Sequence, residues 1–366
     1  MLIAIGTRPD AIKMYPLIKE LKERKRFDVK VVSTGQHKDM LDRQISEFSI
    51  GIDRDLQIMN IGQTLFDITE RIISGMSTVI EELLPDIVFV HGDTATAFLC
   101  GLCAFYKRIP ICHVEAGLRT YDSSDPFPEE FYRRSIAAMA SFHFAPTKTA
   151  AENLIREGID KSRVFIVGNT VIDALVMSLS QKISHPLLDV CNKCRTLVFT
   201  AHRRESVDNG IFGMMRAISR IAVEFQDVKV IYPVHKNPRI AKLADDVLLP
   251  LGNVIITESL PVSVFHNILA SSYAVVTDSG GIQEEVSFLG KPTVLMRNTT
   301  ERKEIFANSC INMVGREEDA IYSAVKRLLL DEEFYRSAAV PSYAFGDGTA
   351  ARKIADAVQL SFLCEK

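Results

Sequence analysis

The feature that most constrains the fold is an alternation of short apolar runs with longer amphipathic runs, which occurs in two series along the 366 residues. The second series begins after Arg195. Alternating strands and helices predict parallel sheets with helices on both faces. Two such series predict an α/β protein with two Rossmann-like, doubly wound domains, and a chain of this length also favours two domains.

The apolar and amphipathic periods predict individual elements in each series. In the first series the predicted strands are 2–6, 29–34, 87–91, 111–114 and 164–167, and the predicted helices are 10–25, 64–84, 94–106 and 128–140. In the second series the predicted strands are 197–200, 228–232, 254–257, 274–277 and 293–296, and the predicted helices are 210–225, 262–270, 281–289 and 318–330.

The segment between the two series interrupts the alternation. Residues 175–193 show no clear strand and contain His185-Pro186. We therefore expect a hinge near Asn169, with an N-terminal domain over 1–168 and a C-terminal domain over 169–347.

Composition excludes several classes of protein. The net charge of −3 gives no general attraction to nucleic acid or to an anionic membrane. No stretch approaches the ~20 apolar residues of a membrane-spanning helix, and the apolar N-terminal run is too short for a signal peptide. A cytoplasmic location is expected by elimination.

The seven cysteines do not indicate a metal site. The two CxxC pairs, Cys100/Cys103 and Cys191/Cys194, are too far apart in sequence for a zinc ribbon. Cys100 and Cys103 also lie in an apolar segment, where cysteine usually acts as a small buried hydrophobic residue. We expect no metal.

Residues that follow predicted strands are the candidate ligand contacts, because ligands of open α/β sheets bind at the carboxyl ends of the strands. The first strand leads into Gly6-Thr7-Arg8-Pro9, with Lys13 one turn later. Arg8 and Lys13 beside a helix N-terminus favour phosphate binding, although a solvated basic helix start fits the motif equally well. The absence of GxGxxG argues against a dinucleotide cofactor.

Three carboxylates follow neighbouring strands of the first series. Asp93 and Glu115 come directly after two successive predicted strands, and Glu129 follows a proline-rich loop. Asp93 taken alone could cap a helix, and Glu129 could simply begin one. Together they predict a set of acid and base groups.

The second series carries a phosphate signal and two histidines at strand ends. His202 and His235 follow successive strands, a placement that favours a role in a cleft. An apolar strand then ends in Asp278-Ser279-Gly280-Gly281 immediately before a helix, whose free N–H groups predict a diphosphate site. Glu285 lies one turn into that helix, where it could accept hydrogen bonds from ribose hydroxyls. Arg302 adds a cation after the next strand.

Separated motifs occur in one order along nearly the whole chain: Gly6-Thr7-Arg8-Pro9, His91-Gly92-Asp93-Thr94, His113-Val114-Glu115-Ala116-Gly117-Leu118-Arg119, His202-Arg203-Arg204-Glu205, Asp278-Ser279-Gly280-Gly281-Ile282-Gln283-Glu284-Glu285 and Gly346-Asp347-Gly348. This sequence resembles the non-hydrolysing UDP-N-acetylglucosamine 2-epimerases. The resemblance implies the glycosyltransferase-B architecture with an active site between the domains, a homodimer, and a C-terminal helix over 348–362 that returns to the first domain.

The resemblance also implies roles for individual residues. The catalytic residues would be Asp93, Glu115, Glu129 and His202. The substrate contacts would be Arg8, Lys13, Phe265 (against uracil), Ser279, Gly280, Gly281, Glu285 and Arg302. A second UDP-N-acetylglucosamine would act as allosteric activator at Gln36, His37, Arg71 and His235. Asp10 and Tyr132 depart from the family's usual glutamate and asparagine.

The implied reaction is reversible epimerisation at carbon 2, by elimination of UDP to 2-acetamidoglucal and re-addition, without a cofactor. Its product, UDP-N-acetylmannosamine, would supply N-acetylmannosamine units for surface polysaccharides. Three alternatives remain open: a 2-epimerase of a UDP-diacetamido uronic acid, a UDP-sugar glycosyltransferase on the same fold, and a non-catalytic sugar-nucleotide sensor.

Overall fold

The chain forms two compact α/β units. The computed structural model describes residues 1–36, 38–60, 62–201, 210–234, 237–307 and 310–364. Unit 1 comprises Met1–Ala174 and Gly346–Lys366, and unit 2 comprises Leu175–Phe345. Unit 1 is thus built from two separate segments of the chain, whereas unit 2 is continuous.

Unit 1 contains one parallel seven-stranded sheet. Its strands are β1 (Leu2–Ile5), β2 (Lys30–Ser33), β3 (Arg54–Asp55), β4 (Val88–His91), β5 (Ile111–Val114), β6 (Phe142–Ala145) and β7 (Val164–Ile166). Its helices before the boundary are α1 (Arg8–Glu23), α2 (Lys38–Glu47), α3 (Leu65–Leu83), α4 (Ala95–Tyr106), α5 (Glu129–Met139) and α6 (Lys148–Arg156). The strand order is β3-β2-β1-β4-β5-β6-β7, so the order reverses between β1 and β4.

Unit 2 contains a parallel six-stranded sheet with the order β10-β9-β8-β11-β12-β13. Its strands are β8 (Arg195–Thr200), β9 (Val228–Pro233), β10 (Val254–Thr257), β11 (Ala274–Thr277), β12 (Thr293–Leu295) and β13 (Ile311–Met313). The helices that begin in this unit are α8 (Pro186–Lys193), α9 (Ile211–Glu224), α10 (Pro238–Val247), α11 (Val262–Ser271), α12 (Ile282–Leu289), α13 (Glu318–Leu330) and α14 (Glu332–Ala338). The order reverses between β8 and β11, as it does between β1 and β4.

The central strands are buried along their whole length. Every residue of β1, β4, β5 and β11 is buried, which explains their near-continuous apolar sequences. Cys100 and Cys103 pack in the core of unit 1, as predicted. The predicted α/β class with two doubly wound sheets is therefore confirmed.

Two helices occupy the segment in which the sequence suggested a break. The chain passes from unit 1 to unit 2 inside α7 (Thr170–Leu179), between Ala174 and Leu175, whereas the sequence predicts a boundary at 168/169. Residues 175–193 contain no strand, and α7 is followed directly by α8, so the strand–helix alternation is interrupted there, as the sequence indicates. Pro186 fits the first turn of α8, where no N–H is needed, and His185 caps it by accepting from the Leu187 N–H at 3.2 Å.

The C-terminal helix α15 (Ala350–Cys364) belongs to unit 1. Asp173 accepts hydrogen bonds from the N–H groups of Ala350 and Ala351 at 3.1 and 2.8 Å, which satisfies two donors at the helix start. Arg24 at the end of α1 lies 2.7 Å from Asp356. Within the parts of the chain that the structure describes, no helix is long and apolar enough to cross a membrane.

Candidate active site

The turn after β1 is tied to the end of β4 by a buried carboxylate. Asp10 accepts hydrogen bonds from the N–H groups of Gly6 and Thr7 at 3.2 and 3.0 Å, and its other oxygen lies 3.3 Å from Nδ1 of His91. A side chain at Gly6 would overlap Thr96, so the turn requires glycine for space. Asp10 thus joins the two strands between which the sheet order reverses.

His91 lies between two carboxylates in the interior of unit 1. Burial alone would lower the pKa of its imidazole, but the charge of Glu115 and the hydrogen bond to Asp10 outweigh burial and raise that pKa to about 9. His91 is therefore an imidazolium at neutral pH. Its Nε2 atom lies 3.7 Å from Oε2 of Glu115.

Glu115 follows β5 with its backbone in the left-handed region, at a φ of 62°. Oε2 of its carboxylate forms an ion pair with Lys13 from α1 and accepts a hydrogen bond from Nδ2 of Asn169 at 2.6 Å. A Cβ added to Gly92 would come within 3.6 Å of Oε1, so the carboxylate lies beside the turn that follows β4. Lys13, predicted to contact phosphate, is buried and paired with Glu115 in this structure.

Asp93 is held by an arginine of α5. Arg133 forms an ion pair with Asp93 and lies 3.4 Å from Glu130. Glu130 is fully buried and accepts hydrogen bonds from the N–H groups of Thr120 and Tyr121, both at 3.0 Å. The helix cap is Thr94, which accepts from the Ala97 N–H at 3.1 Å, so Asp93 is not the cap of α4.

Glu129 and Arg8 both occupy the first residue of a helix. Glu129 begins α5 and is half-buried. Burial raises the pKa of the Tyr132 hydroxyl, and the charge of Glu129 adds to that rise. Arg8 begins α1 and is half-buried.

His113 fixes the turn that carries Asp93. Burial lowers the pKa of His113 to about 3, so its ring is neutral. Its Nε2 atom lies 2.8 Å from the main-chain oxygen of Gly92, and in the neutral ring this nitrogen is the one that donates. Gly92 itself has a φ of +62°.

The candidate diphosphate site of unit 2 lies where β11 leads into α12. The Ser279 N–H donates to Oγ1 of Thr277 at 2.9 Å, which shapes the turn. Gly281 has an ordinary φ of −64°, and a Cβ added there would meet no atom within 4 Å. Neither conformation nor packing requires glycine at 281, whereas close approach of a ligand to the helix start would.

The charged residues near this turn are paired with one another. Glu285 lies 3.3 Å from Nε2 of His266, whose Nδ1 lies 3.0 Å from the Ser178 hydroxyl. Arg302 donates to Glu284 at 2.6 Å and forms an ion pair with Glu301. Phe265 is half-buried on α11.

Two residues of the predicted activator site are described. Oε1 of Gln36 accepts a hydrogen bond from Thr96 at 3.1 Å, and Arg71 donates to the main-chain oxygen of Ile58 at 3.2 Å. His37, His235 and the predicted catalytic His202 lie outside the described residues.

Sequence reasoning missed several residues that fix the carboxylates: Asp10, His91, Glu130, Arg133 and Asn169. Two of them carried a usable signal. Thr7 followed three residues later by Asp10 matches a capping box, and the structure contains that box. Asn169 directly before an apolar helical run matches a helix cap. Across the residues that the structure describes, no group of three or more His, Cys, Asp or Glu side chains could hold a metal ion.

Comparison with known proteins places the chain in one family. The family model for UDP-N-acetylglucosamine 2-epimerase matches residues 19–359. The UDP-N-acetylglucosamine 2-epimerase of Bacillus subtilis is 43% identical over 97% of this chain and 94% of its own length. The Escherichia coli K12 enzyme of the same name is 42% identical over 98% of each chain.

A solved structure shows the same similarity. The UDP-GlcNAc 2-epimerase from Neisseria meningitidis, solved bound to UDP-GlcNAc, is 38% identical, with a TM-score of 0.91 over 100% of this chain and 99% of its own. The match thus extends over both sheets. This chain belongs to the UDP-N-acetylglucosamine 2-epimerase family.

Proposed function

We propose that this chain catalyses the reversible inversion of carbon 2 of UDP-N-acetylglucosamine to give UDP-N-acetylmannosamine. Membership of the family over nearly the whole chain supports the substrate and the reaction. The observation that carries the proposal is the pair of carboxylates at adjacent strand ends, Asp93 after β4 and Glu115 after β5, each held by a cation.

The chemistry of carbon 2 explains why the reaction passes through elimination. The carbon-2 proton has no neighbouring carbonyl, so direct removal is slow. When the bond from carbon 1 to the UDP oxygen breaks, UDP leaves with the electron pair and positive charge develops at carbon 1. A base then takes the carbon-2 proton, and the two carbons form the double bond of 2-acetamidoglucal. Protonation of carbon 2 on its other face and return of the UDP oxygen to carbon 1 complete the inversion.

Asp93, Glu115 and Glu129 are the acid and base groups that we assign to these proton transfers, together with His202. Two faces of the sugar must be served, and this requirement accounts for more than one carboxylate. Lys13 and Arg133 hold Glu115 and Asp93 by ion pairs that exist before substrate binds, which favours a preorganised site. Because the proposed steps remove and return a proton and transfer no hydride, they require no redox cofactor.

UDP must remain bound while the glycal exists, because its loss would end the reaction. We assign the diphosphate to Ser279, Gly280 and Gly281 at the start of α12, because the N–H groups and the dipole of a helix start favour an anion. Phe265 would pack against uracil and Glu285 would accept from the ribose. Arg8, Lys13 and Arg302 would add positive charge around the sugar and phosphates.

Further predictions rest on family resemblance alone. They are a homodimer, a cytoplasmic location, supply of N-acetylmannosamine units for surface polysaccharide, and activation by a second UDP-N-acetylglucosamine at Gln36, His37, Arg71 and His235. The activator site predicts a sigmoidal dependence of initial rate on substrate concentration.

The test of the reaction is incubation with UDP-N-acetylglucosamine in D₂O, with carbon 2 followed by NMR. We expect deuterium at carbon 2 and a growing signal from the manno epimer. If neither appears, the proposal is wrong for this substrate. Turnover of a UDP-diacetamido uronic acid instead, a new glycoside with an added acceptor, or binding without turnover would identify the alternative function.

A further inference from the structure

Oxygen Oε2 of Glu115 has three polar neighbours that differ in kind. Lys13 forms an ion pair with Oε2, Asn169 donates to it at 2.6 Å, and Nε2 of His91 lies 3.7 Å away. Lys13 and His91 supply positive charge, and Lys13 also donates a hydrogen bond to Oε2, but an ammonium on a flexible stem has three rotatable donors and so fixes the carboxylate's orientation only weakly. The short amide hydrogen bond from Asn169 is directional, so it constrains where the carboxylate points.

The amide of Asn169 can adopt only one orientation. Its Oδ1 accepts from the Val171 N–H at 3.0 Å and so caps the start of α7. Its Nδ2 donates to Glu115. Exchanging the two ends of the amide would place a donor against the Val171 N–H and an acceptor against the carboxylate, and would lose both bonds. The helix cap therefore fixes the donor that faces Glu115.

The backbone around Asn169 is also fixed. Asn169 is buried, and it follows Gly168, whose φ is +94°. A Cβ added to Gly346 would come 2.9 Å from the α carbon of Gly168 and 3.3 Å from the main-chain nitrogen of Asn169. Asn169 thus lies between a tightly packed glycine pair and the first turn of α7.

We propose that Asn169 is a positioning residue for Glu115, which orients the carboxylate for proton transfer at carbon 2. The backbone of Glu115, at a φ of 62°, is in a region that non-glycine residues adopt only at an energetic cost, so surrounding contacts must hold it. Asn169 supplies such a contact without adding charge. This inference rests on the proposed catalytic role of Glu115.

The test is Asn169→Asp, because aspartate keeps the helix cap but replaces the donor with an acceptor. Both oxygens of a carboxylate accept, so the introduced aspartate would still cap Val171 while repelling Glu115. We expect kcat to fall about 10- to 100-fold at pH 8, with KM changed much less. Activity should recover partly as the pH falls, because the introduced carboxyl can again donate to Glu115 once it is protonated.

The matched variant is Asn169→Ser, which keeps a capping oxygen but is too short to reach Glu115. It should lower kcat without recovery at lower pH. In a Glu115→Gln background, Asn169→Asp should cause little further loss, because the glutamine amide can donate to the introduced aspartate. Thermal melting of each variant reports whether the fold is kept.

Different results separate the two proposals. Wild-type kcat in Asn169→Asp, a change in KM alone, or an equal loss of kcat at every pH would overturn the positioning role of Asn169 while leaving the epimerase reaction standing. Absence of deuterium exchange at carbon 2 in the wild-type chain would overturn the reaction itself.

Discussion

The two units share a strand order but differ in the chemical groups at their candidate sites. In each sheet the order reverses between the first and fourth strands of the unit, β1 and β4 or β8 and β11. Unit 1 fills the ends of its strands with charged side chains in buried ion pairs, such as Lys13 with Glu115. Unit 2 also pairs buried charges, such as Arg302 with Glu284, but beside them it leaves open space at the helix start, at Gly281. We therefore predict acid–base chemistry at the strand ends of unit 1 and anion binding at the helix start of unit 2.

The difference has an energetic cause. A buried charge is costly unless it is paired and hydrogen-bonded, so carboxylates poised for proton transfer need cations around them. Asp10, His91, Glu115 and Lys13 form such an alternating set inside unit 1. Backbone N–H groups at a helix start need no such compensation, because they carry only partial charge.

The largest effect should come from removing a carboxylate of unit 1. Asp93→Asn keeps the shape of the side chain but cannot take a proton, so we expect turnover to fall about 10²- to 10⁴-fold, the usual size of a general acid–base contribution. Deuterium exchange at carbon 2 measures it. Arg133 keeps Glu130 as a neighbour at 3.4 Å, so the fold should persist.

A matched control lies at the other end of the same strand. Asp86 is exposed and precedes β4, whereas Asp93 follows it. Asp86→Asn makes the same chemical change at the amino end of the sheet and should leave turnover within about twofold, as expected for a surface position. Retained activity in Asp93→Asn would remove Asp93 from the mechanism.

The next effect is a pH dependence that belongs to unit 1. The pKa of His91 is raised to about 9 from an ordinary 6.5. The imidazolium therefore stabilises the folded state fully below pH 6.5, by an amount on the order of 3 kcal/mol. This stabilisation is lost as the pH rises through 9. Hydrogen exchange of β4 and β5 should accelerate accordingly at high pH, after correction for intrinsic rates. His91→Gln should abolish that dependence.

The other buried histidines of unit 1 provide an internal control of opposite sign. Burial lowers the pKa of His113 to about 3 and that of His143 to about 4, from an ordinary 6.5. The neutral forms of these two histidines contribute fully to the stability of the folded state above pH 6.5, and this contribution is lost as the pH falls below that value. The acid dependence should therefore remain in His91→Gln. If the alkaline dependence also remains, the imidazolium between Asp10 and Glu115 is not its source.

Sequence periodicity predicted the architecture because parallel strands buried on both faces are continuous apolar runs. It missed elements in which a polar residue interrupts the apolar run, such as β6, which contains His143 between two phenylalanines. It also missed α7, because a helix that crosses the boundary between units has no loop to mark its position.

Strand ends located the candidate site residues, but the pairing among them was not readable from sequence. Asn169 lies 54 residues after Glu115 and Arg133 lies 40 residues after Asp93, so each contact depends on how the sheet is wound. Lys13 shows the limit most clearly. A cation near a helix start suggested phosphate, and the fold pairs it with Glu115.

The smallest effect tests the open helix start of unit 2. Gly281 has a φ open to any residue, and a Cβ there would meet no protein atom within 4 Å. Gly281→Ala should leave thermal stability unchanged yet weaken UDP binding about tenfold, because the methyl group would occupy space that a diphosphate needs. Titration calorimetry with UDP measures the loss. Gly252→Ala is the matched control, since Gly252 also has open space around it but lies on an exposed turn away from any strand's carboxyl end. Equal UDP affinity in the two variants would mean that the diphosphate does not approach the start of α12, and the contrast between the two units would then rest on unit 1 alone.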